Sequence, residues 1–241
     1  MKSHRKCTMI TVLKLALPFL IFIADPMNSY TMDSPEFKIS ASDWIAIPLS
    51  RLIGTSELII YGKIDKVLDS TIIFQILQEV KGKQDVKGKK TGSRLEILKA
   101  KPDPFAGIKP AGYQQGQFYM LFLEPGKTSP QKVWRIVGIS EEAQMPVVNN
   151  YIYFYDRFLK GLPLHSYNVY GVESSIQRFE FSKFLDAVEE YIKYYRWVNR
   201  GPGNKYLIEK NCTAFQDTAY RKKSFMHNYL AEETQLMMEN N

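Results

Sequence analysis

Cysteine is nearly absent from this chain. Cys7 and Cys212 are the only two in 241 residues, and Cys7 falls in a stretch that reads as removed from the mature protein. A single remaining thiol closes no internal disulfide and builds no multi-cysteine zinc site. The fold must rest on its core, without the staples common in exported domains. Histidine is as scarce: His4, His165 and His227, with no two at metal-ligand spacing. No metal and no cofactor is expected. A strong excess of one charge is missing too. The formal net charge is +7, but Lys2, Arg5, Lys6 and Lys14 against Asp25 lie within residues 1–29, so the mature chain carries +4. That is an ordinary solubility charge, not the footprint of a nucleic-acid binder.

A spanning apolar run is also lacking. The longest greasy stretch, Leu15 to Ala24, contains Pro18 and follows Lys14, whereas a transmembrane helix needs about 20 apolar residues. A basic head of Lys2, Arg5 and Lys6, then this short apolar segment, then polarity from Asp25, is the pattern of an export signal. We read residues 1–29 as that signal, with Ala24 or Ser29 before the cut; an uncleaved anchor is the alternative. Cys7 precedes the apolar stretch, so it is not a lipoprotein cysteine. The mature chain is expected in the periplasm, the cell envelope or outside the cell, with no membrane span.

Hydrophobic residues make up 45% of the chain, enough for a packed core. Residues 30–55 read as a lead-in, with a short helical turn from Leu49 to Ile53 closed by Gly54. Leu58 to Val67 is β-branched and aromatic and reads as a strand, and Gly62 inside it signals a bulge or bend. Asp69-Ser70 turns the chain into a second strand, Thr71 to Val80. After a Lys/Gly-rich loop, Leu95 to Leu98 is a third. A long Pro/Gly loop leads to Gln117 to Leu123, a continuous apolar run expected to be buried on both faces. Val133 to Ile139 is a fifth strand and Val147 to Phe154 a further strand or extended edge. A tyrosine-rich loop follows. Ser182 is expected to cap an amphipathic helix running to about Trp197 and stopped by Gly201-Pro202-Gly203, and Ala214 to Met238 carries a second helical pattern.

Five strands with a bent first member suggest a small closed barrel, since closure removes aggregation-prone edges. Three segments go further: Ser56 to Val67 (SELIIYGKIDKV), Phe74 to Gly82 (FQILQEVKG) and Gly116 to Leu123 (GQFYMLFL). This block resembles the oligonucleotide/oligosaccharide-binding (OB) barrel of netrin-like domains and of tissue inhibitors of metalloproteinases (TIMP-like), as found in exported bacterial proteins. The resemblance covers about 70 residues well. It implies a mainly β, five-stranded OB-like closed barrel over residues 56–155, and residues 156–241 would form a Tyr-rich loop and helical extension, α+β overall. The animal inhibitors chelate the protease metal through an N-terminal cysteine. This chain has no cysteine from Thr8 to Asn211, so that activity is not expected.

The fold class does not give the function; candidate residues must. Lys81, Lys83, Lys87, Lys89, Lys90 and Arg94 surround a single acid, Asp85, and form either an anion-binding rim or a solvated loop. Phe105, Tyr113 and Trp134 are aromatic candidates for stacking on a sugar or peptide, with the barrel core the default place for Trp134. The tyrosines from Tyr151 to Tyr170 read as a partner surface or as packing against the Ser182 helix. The expected function is a non-catalytic binding or interaction module for a protein, glycan or envelope polymer. One alternative is a hydrolase using His165 with Cys212 or a carboxylate, the adjacent Glu141 and Glu142 being a second acid pair. A third is single-stranded nucleic-acid binding, which the export signal and the charge of the mature chain oppose.

Overall fold

The computed structural model describes residues 46–82, 92–100, 112–126, 133–138, 141–155, 157–200 and 206–239. The signal segment and most of the basic loop lie outside these residues. Four helices and eleven strands are present among them, and no helix is long and apolar enough to cross a membrane.

Five strands close a mixed barrel: β1 (Leu58–Val67), β2 (Thr71–Lys81), β3 (Arg94–Leu98), β4 (Phe118–Pro125) and β5 (Trp134–Ile136). Their order around the wall is β1-β2-β3-β5-β4 and back to β1, antiparallel except for β3 beside β5. Closure depends on β1 pairing along both edges, with β2 on one and β4 on the other. The β1–β2 register shifts at three places, one of them between Tyr61 and Gly62. A Cβ at residue 62 would overlap the Gln75 carbonyl oxygen. Glycine therefore allows the two backbones to approach as the strand bends. The apolar run of β4 is buried from Tyr119 to Leu123 on both faces, as its lack of alternation predicts. β5 is shorter than the sequence suggests.

Beyond the barrel the chain makes more strand than its sequence promises. What reads as one extended edge is a hairpin, β6 (Gln144–Val148) and β7 (Tyr151–Phe154), turned by Asn149 and Asn150 with φ of 50° and 62°. Asparagine tolerates this left-handed conformation, and two such residues suit a two-residue hairpin turn. The expected tyrosine-rich loop is largely strand as well: β8 (His165–Val169) and β9 (Val172–Glu180) pair with each other, and β9 pairs with β7. β6 hydrogen-bonds to β4 through Tyr119 to Leu121, while β5 takes Leu123 to Pro125 of the same edge. β4 thus joins the barrel to an outer part of the same nine-stranded sheet, β6 to β9.

The helices also depart from the sequence reading. α1 (Leu49–Thr55) forms where expected. α2 (Phe181–Tyr194) starts one residue before Ser182, whose hydroxyl donates to Glu180 Oε1 at 2.7 Å instead of capping. It ends at Tyr194, and the chain turns into a strand pair, β10 (Tyr195–Asn199) with β11 (Tyr206–Lys210). The expected single C-terminal helix is two, α3 (Ala214–Lys223) and α4 (Phe225–Glu239), broken at Ser224, which is extended (φ −159°, ψ 169°). Thr213 and Gln216 form a reciprocal capping box at the start of α3. α2 lies against β2, with Gln78 Nε2 donating to Glu189 Oε1 at 2.8 Å, while α4 packs on α1 and α2. A single hydrophobic core joins barrel and helices.

Candidate functional site

One end of the barrel is where β1 begins, β2 ends and β4 ends. The β10–β11 hairpin stands beside that end and leaves a groove of about 560 Å3 between them, lined by Lys81, Glu124, Arg196, Trp197, Asn199 and Tyr206 together with the turn after α1. A second hollow of about 250 Å3 shares Lys81, Arg196 and Trp197 and reaches inward to Tyr191 and Tyr195.

Local chemistry fixes each wall. Trp197 presses against Gly54, where a Cβ would overlap the indole ring, so glycine makes room for it. The indole Nε1 donates to Tyr191 Oη at 2.9 Å, and that hydroxyl pairs with Thr234 Oγ1 at 2.7 Å. Burial raises the Tyr191 pKa well above the usual phenol range, so the group stays neutral. Tyr206 stands edge-on to Trp197, with ring centroids 5.9 Å apart. The Arg51 guanidinium lies 5.5 Å from the Tyr206 centroid, within cation–π range. Lys81 Nζ donates to the Ile53 and Gly54 carbonyls at 2.8 and 2.7 Å, satisfying carbonyls at the end of α1 that lack a helical partner. Arg196 is exposed and only 3.8 Å from Glu209 at closest, a weak surface pair.

Of the residues that the sequence singles out and the structure describes, Lys81 is the one brought to this groove. Lys83, Lys87, Lys89, Lys90 and Phe105 lie outside the described residues. Arg94 pairs with Asp65 at 2.7 Å on the exposed flank of β1 and β3. The Tyr113 hydroxyl donates to Gln144 Oε1 at 2.5 Å and accepts from the Ala100 amide at 3.0 Å, tying loop to sheet. Trp134 is 5% exposed, beside Ile97 in the barrel wall. It is core and offers no stacking face. The tyrosine cluster packs as a sheet face on which Arg178 lies 4.0 Å from the Tyr151 centroid and 4.4 Å from that of Tyr167.

The residues of the alternative enzyme reading have separate surroundings. His165 is exposed on β8 with its ring edge toward Tyr167. Cys212 lies half-buried between β11 and α3, near Lys210, Asp217 and Arg221, and burial pushes its thiol pKa up. Glu142 is buried, accepts from the Ile47 amide at 2.9 Å and lies 3.9 Å from Arg157. Among the described residues no group of three His, Cys, Asp or Glu is placed to hold a metal ion.

Arg196, Trp197, Asn199 and Tyr206 are the groove residues that sequence reading passes over. The signal was there: YRWVN and YLIEK, two β-rich pentapeptides, flank Gly201-Pro202-Gly203. Set against models of known families and against curated proteins, the chain matches none.

Proposed function

We propose that the protein is an exported binding module whose ligand, an acidic glycan or similar envelope polymer, lies in the groove at the end of the barrel. The observation that carries this reading is the groove's described lining: two aromatic rings, Trp197 and Tyr206, with the cations Lys81 and Arg196, no histidine or cysteine, and the acids Glu57 and Glu124, the latter already paired with Arg135 at 2.7 Å. Arg51 lies against the Tyr206 ring. Aromatic faces suit sugar rings, and cations suit carboxylates or sulfates along a chain. The likeness to netrin-like OB barrels belongs to the same proposal. It is supported by the circular order β1-β2-β3-β5-β4 and by the glycine bend in β1.

The experiment is titration of the protein with polygalacturonate, neutral dextran and oligo(dT), followed by tryptophan fluorescence. Saturable, salt-sensitive binding of polygalacturonate is expected, weakened about tenfold by Arg196→Glu, one charge-assisted contact being worth roughly that factor. Dextran and oligo(dT) should bind at least tenfold more weakly. Equal binding of oligo(dT) would favour the nucleic-acid reading, and no response to Arg196→Glu would remove the groove from consideration. N-terminal sequencing of protein recovered outside the cytoplasm should find the chain starting near residue 25 or 30.

A further inference from the structure

A second cluster lies where α2 meets the break between α3 and α4. Ser224 Oγ and His227 Nδ1 are 2.7 Å apart. On the far side of the ring, His227 Nε2 lies 3.6 Å from both Asp186 Oδ2 and Glu190 Oε2, contributed by α2. The His227 side chain is 2% exposed, and neither its Nε2 nor Glu190 Oε2 has a hydrogen-bond partner among the described residues. The Tyr220 ring packs edge-on to the imidazole at 4.7 Å. A cleft of about 480 Å3 opens onto Ser224 and His227, with Phe179 and Phe225 as its apolar wall.

We infer that Ser224, His227 and the Asp186/Glu190 pair form a hydrolytic site for a neutral ester. A serine that precedes a helix and meets the backbone of the residue three further on is commonly just a cap, and the His227 amide does lie 3.5 Å from Ser224 Oγ. Capping accounts for that contact. It does not account for two carboxylates from another helix facing the opposite ring nitrogen. Acids there hold the imidazole with its proton on Nε2, which leaves Nδ1 free to accept from the serine. Burial lowers the His227 pKa despite these acids, so the ring is neutral at pH 7 and competent as a base.

The balance closes with water as the only co-reactant. Ser224 Oγ attacks the ester carbonyl carbon and its proton passes to His227 Nδ1. Hydrogen bonds to the developing oxyanion would come from the amides of Phe225 and Met226, which as the first residues of α4 have no helical acceptor. The carbonyl re-forms as the bond to the alcohol oxygen breaks, and the alcohol leaves with the Nδ1 proton. Water then attacks the acyl-serine, giving a proton to Nδ1; the carboxylic acid departs and Ser224 regains its proton. The described cations of the cleft are already paired, Lys183 with Glu180 at 2.7 Å and Lys223 with Glu190, while the Asp186 carboxylate stands beside the neutral ring, so the cleft offers no cation to an anionic substrate. The phenylalanine wall takes an apolar acyl group.

The test is hydrolysis of p-nitrophenyl butyrate together with labelling by a fluorophosphonate, mapped by peptide mass spectrometry. Label on Ser224 is expected, with turnover at least tenfold above buffer and rising with pH through a midpoint below the usual histidine range. Ser224→Gly should keep the melting temperature, because glycine serves almost as well as serine before a helix, yet lose label and turnover. Asp186→Asn with Glu190→Gln should slow turnover at least tenfold. Absence of label at Ser224 in the folded protein, or turnover of Ser224→Gly within twofold of the unchanged chain, overturns the assignment. The outcome is independent of whether the barrel groove binds polymer.

Discussion

The barrel and the C-terminal helices bury very different chemistry. The wholly buried side chains of the barrel strands are apolar, among them Ile60, Ile64, Ile72, Phe74, Ile97 and Phe122. Under the helices the buried set includes tyrosines whose hydroxyls must find partners. Tyr191 pairs with Thr234, Tyr195 donates to Asp217, and Tyr220 donates to the Ala187 carbonyl at 3.1 Å. A hydrocarbon core is stabilised by area removed from water and is indifferent to pH. A core of buried phenols holds as much apolar area per residue, but its geometry depends on polar contacts that can be titrated or cut one at a time.

The sharpest way to break that contrast is to remove volume from the barrel. Phe122→Ala should cost about 3–5 kcal/mol in chemical denaturation, since a wholly buried ring leaves a cavity, and the loss should be the same at pH 4 and pH 7. Asp217→Asn should cost less, about 2–3 kcal/mol at pH 7, because charge-assisted hydrogen bonds are lost. Its loss should depend on pH. Burial acts to raise the Asp217 pKa, but hydrogen bonds from Lys210, Tyr195 and Arg221 outweigh it and hold the carboxyl below its ordinary value. A depressed carboxylate contributes stability above its unfolded pKa of about 4 and loses it as pH falls through the folded value. The difference between Asp217→Asn and the unchanged chain should therefore shrink below pH 4. The smallest effect is expected on the tyrosine face of the outer sheet. Arg178→Ala there should cost about 0.5–1 kcal/mol, the worth of an exposed cation–π contact, measured as a small shift in the denaturation midpoint.

The same contrast governs how much could be read from the sequence. β1, β2 and β4 are legible because β-branched and aromatic residues alone decide them, and Gly62 announces its bulge. β8 and β9 hide because their few apolar residues are interspersed with His, Ser, Asn, Gln and Glu (HSYNV and VESSIQRFE), a composition shared with loops. The end of α2 is invisible locally: no Gly or Pro stands at Tyr195, and what stops the helix is pairing of Tyr195 to Asn199 with Tyr206 to Lys210. The groove has the same origin. Trp197 acquires its place from Gly54 and Lys81, residues far away in the chain. Arg94, Tyr113 and Trp134 are equally plausible by residue type, but ion pairing, a hydroxyl tether and the barrel wall claim them.

β4 is clamped along both margins, by β1 on one side and by β5 and β6 in succession on the other. A ribbon held this way has no margin from which to peel. The outer sheet cannot detach without taking hydrogen bonds from the same residues that close the barrel. Loss of order in either half must therefore spread to its neighbour.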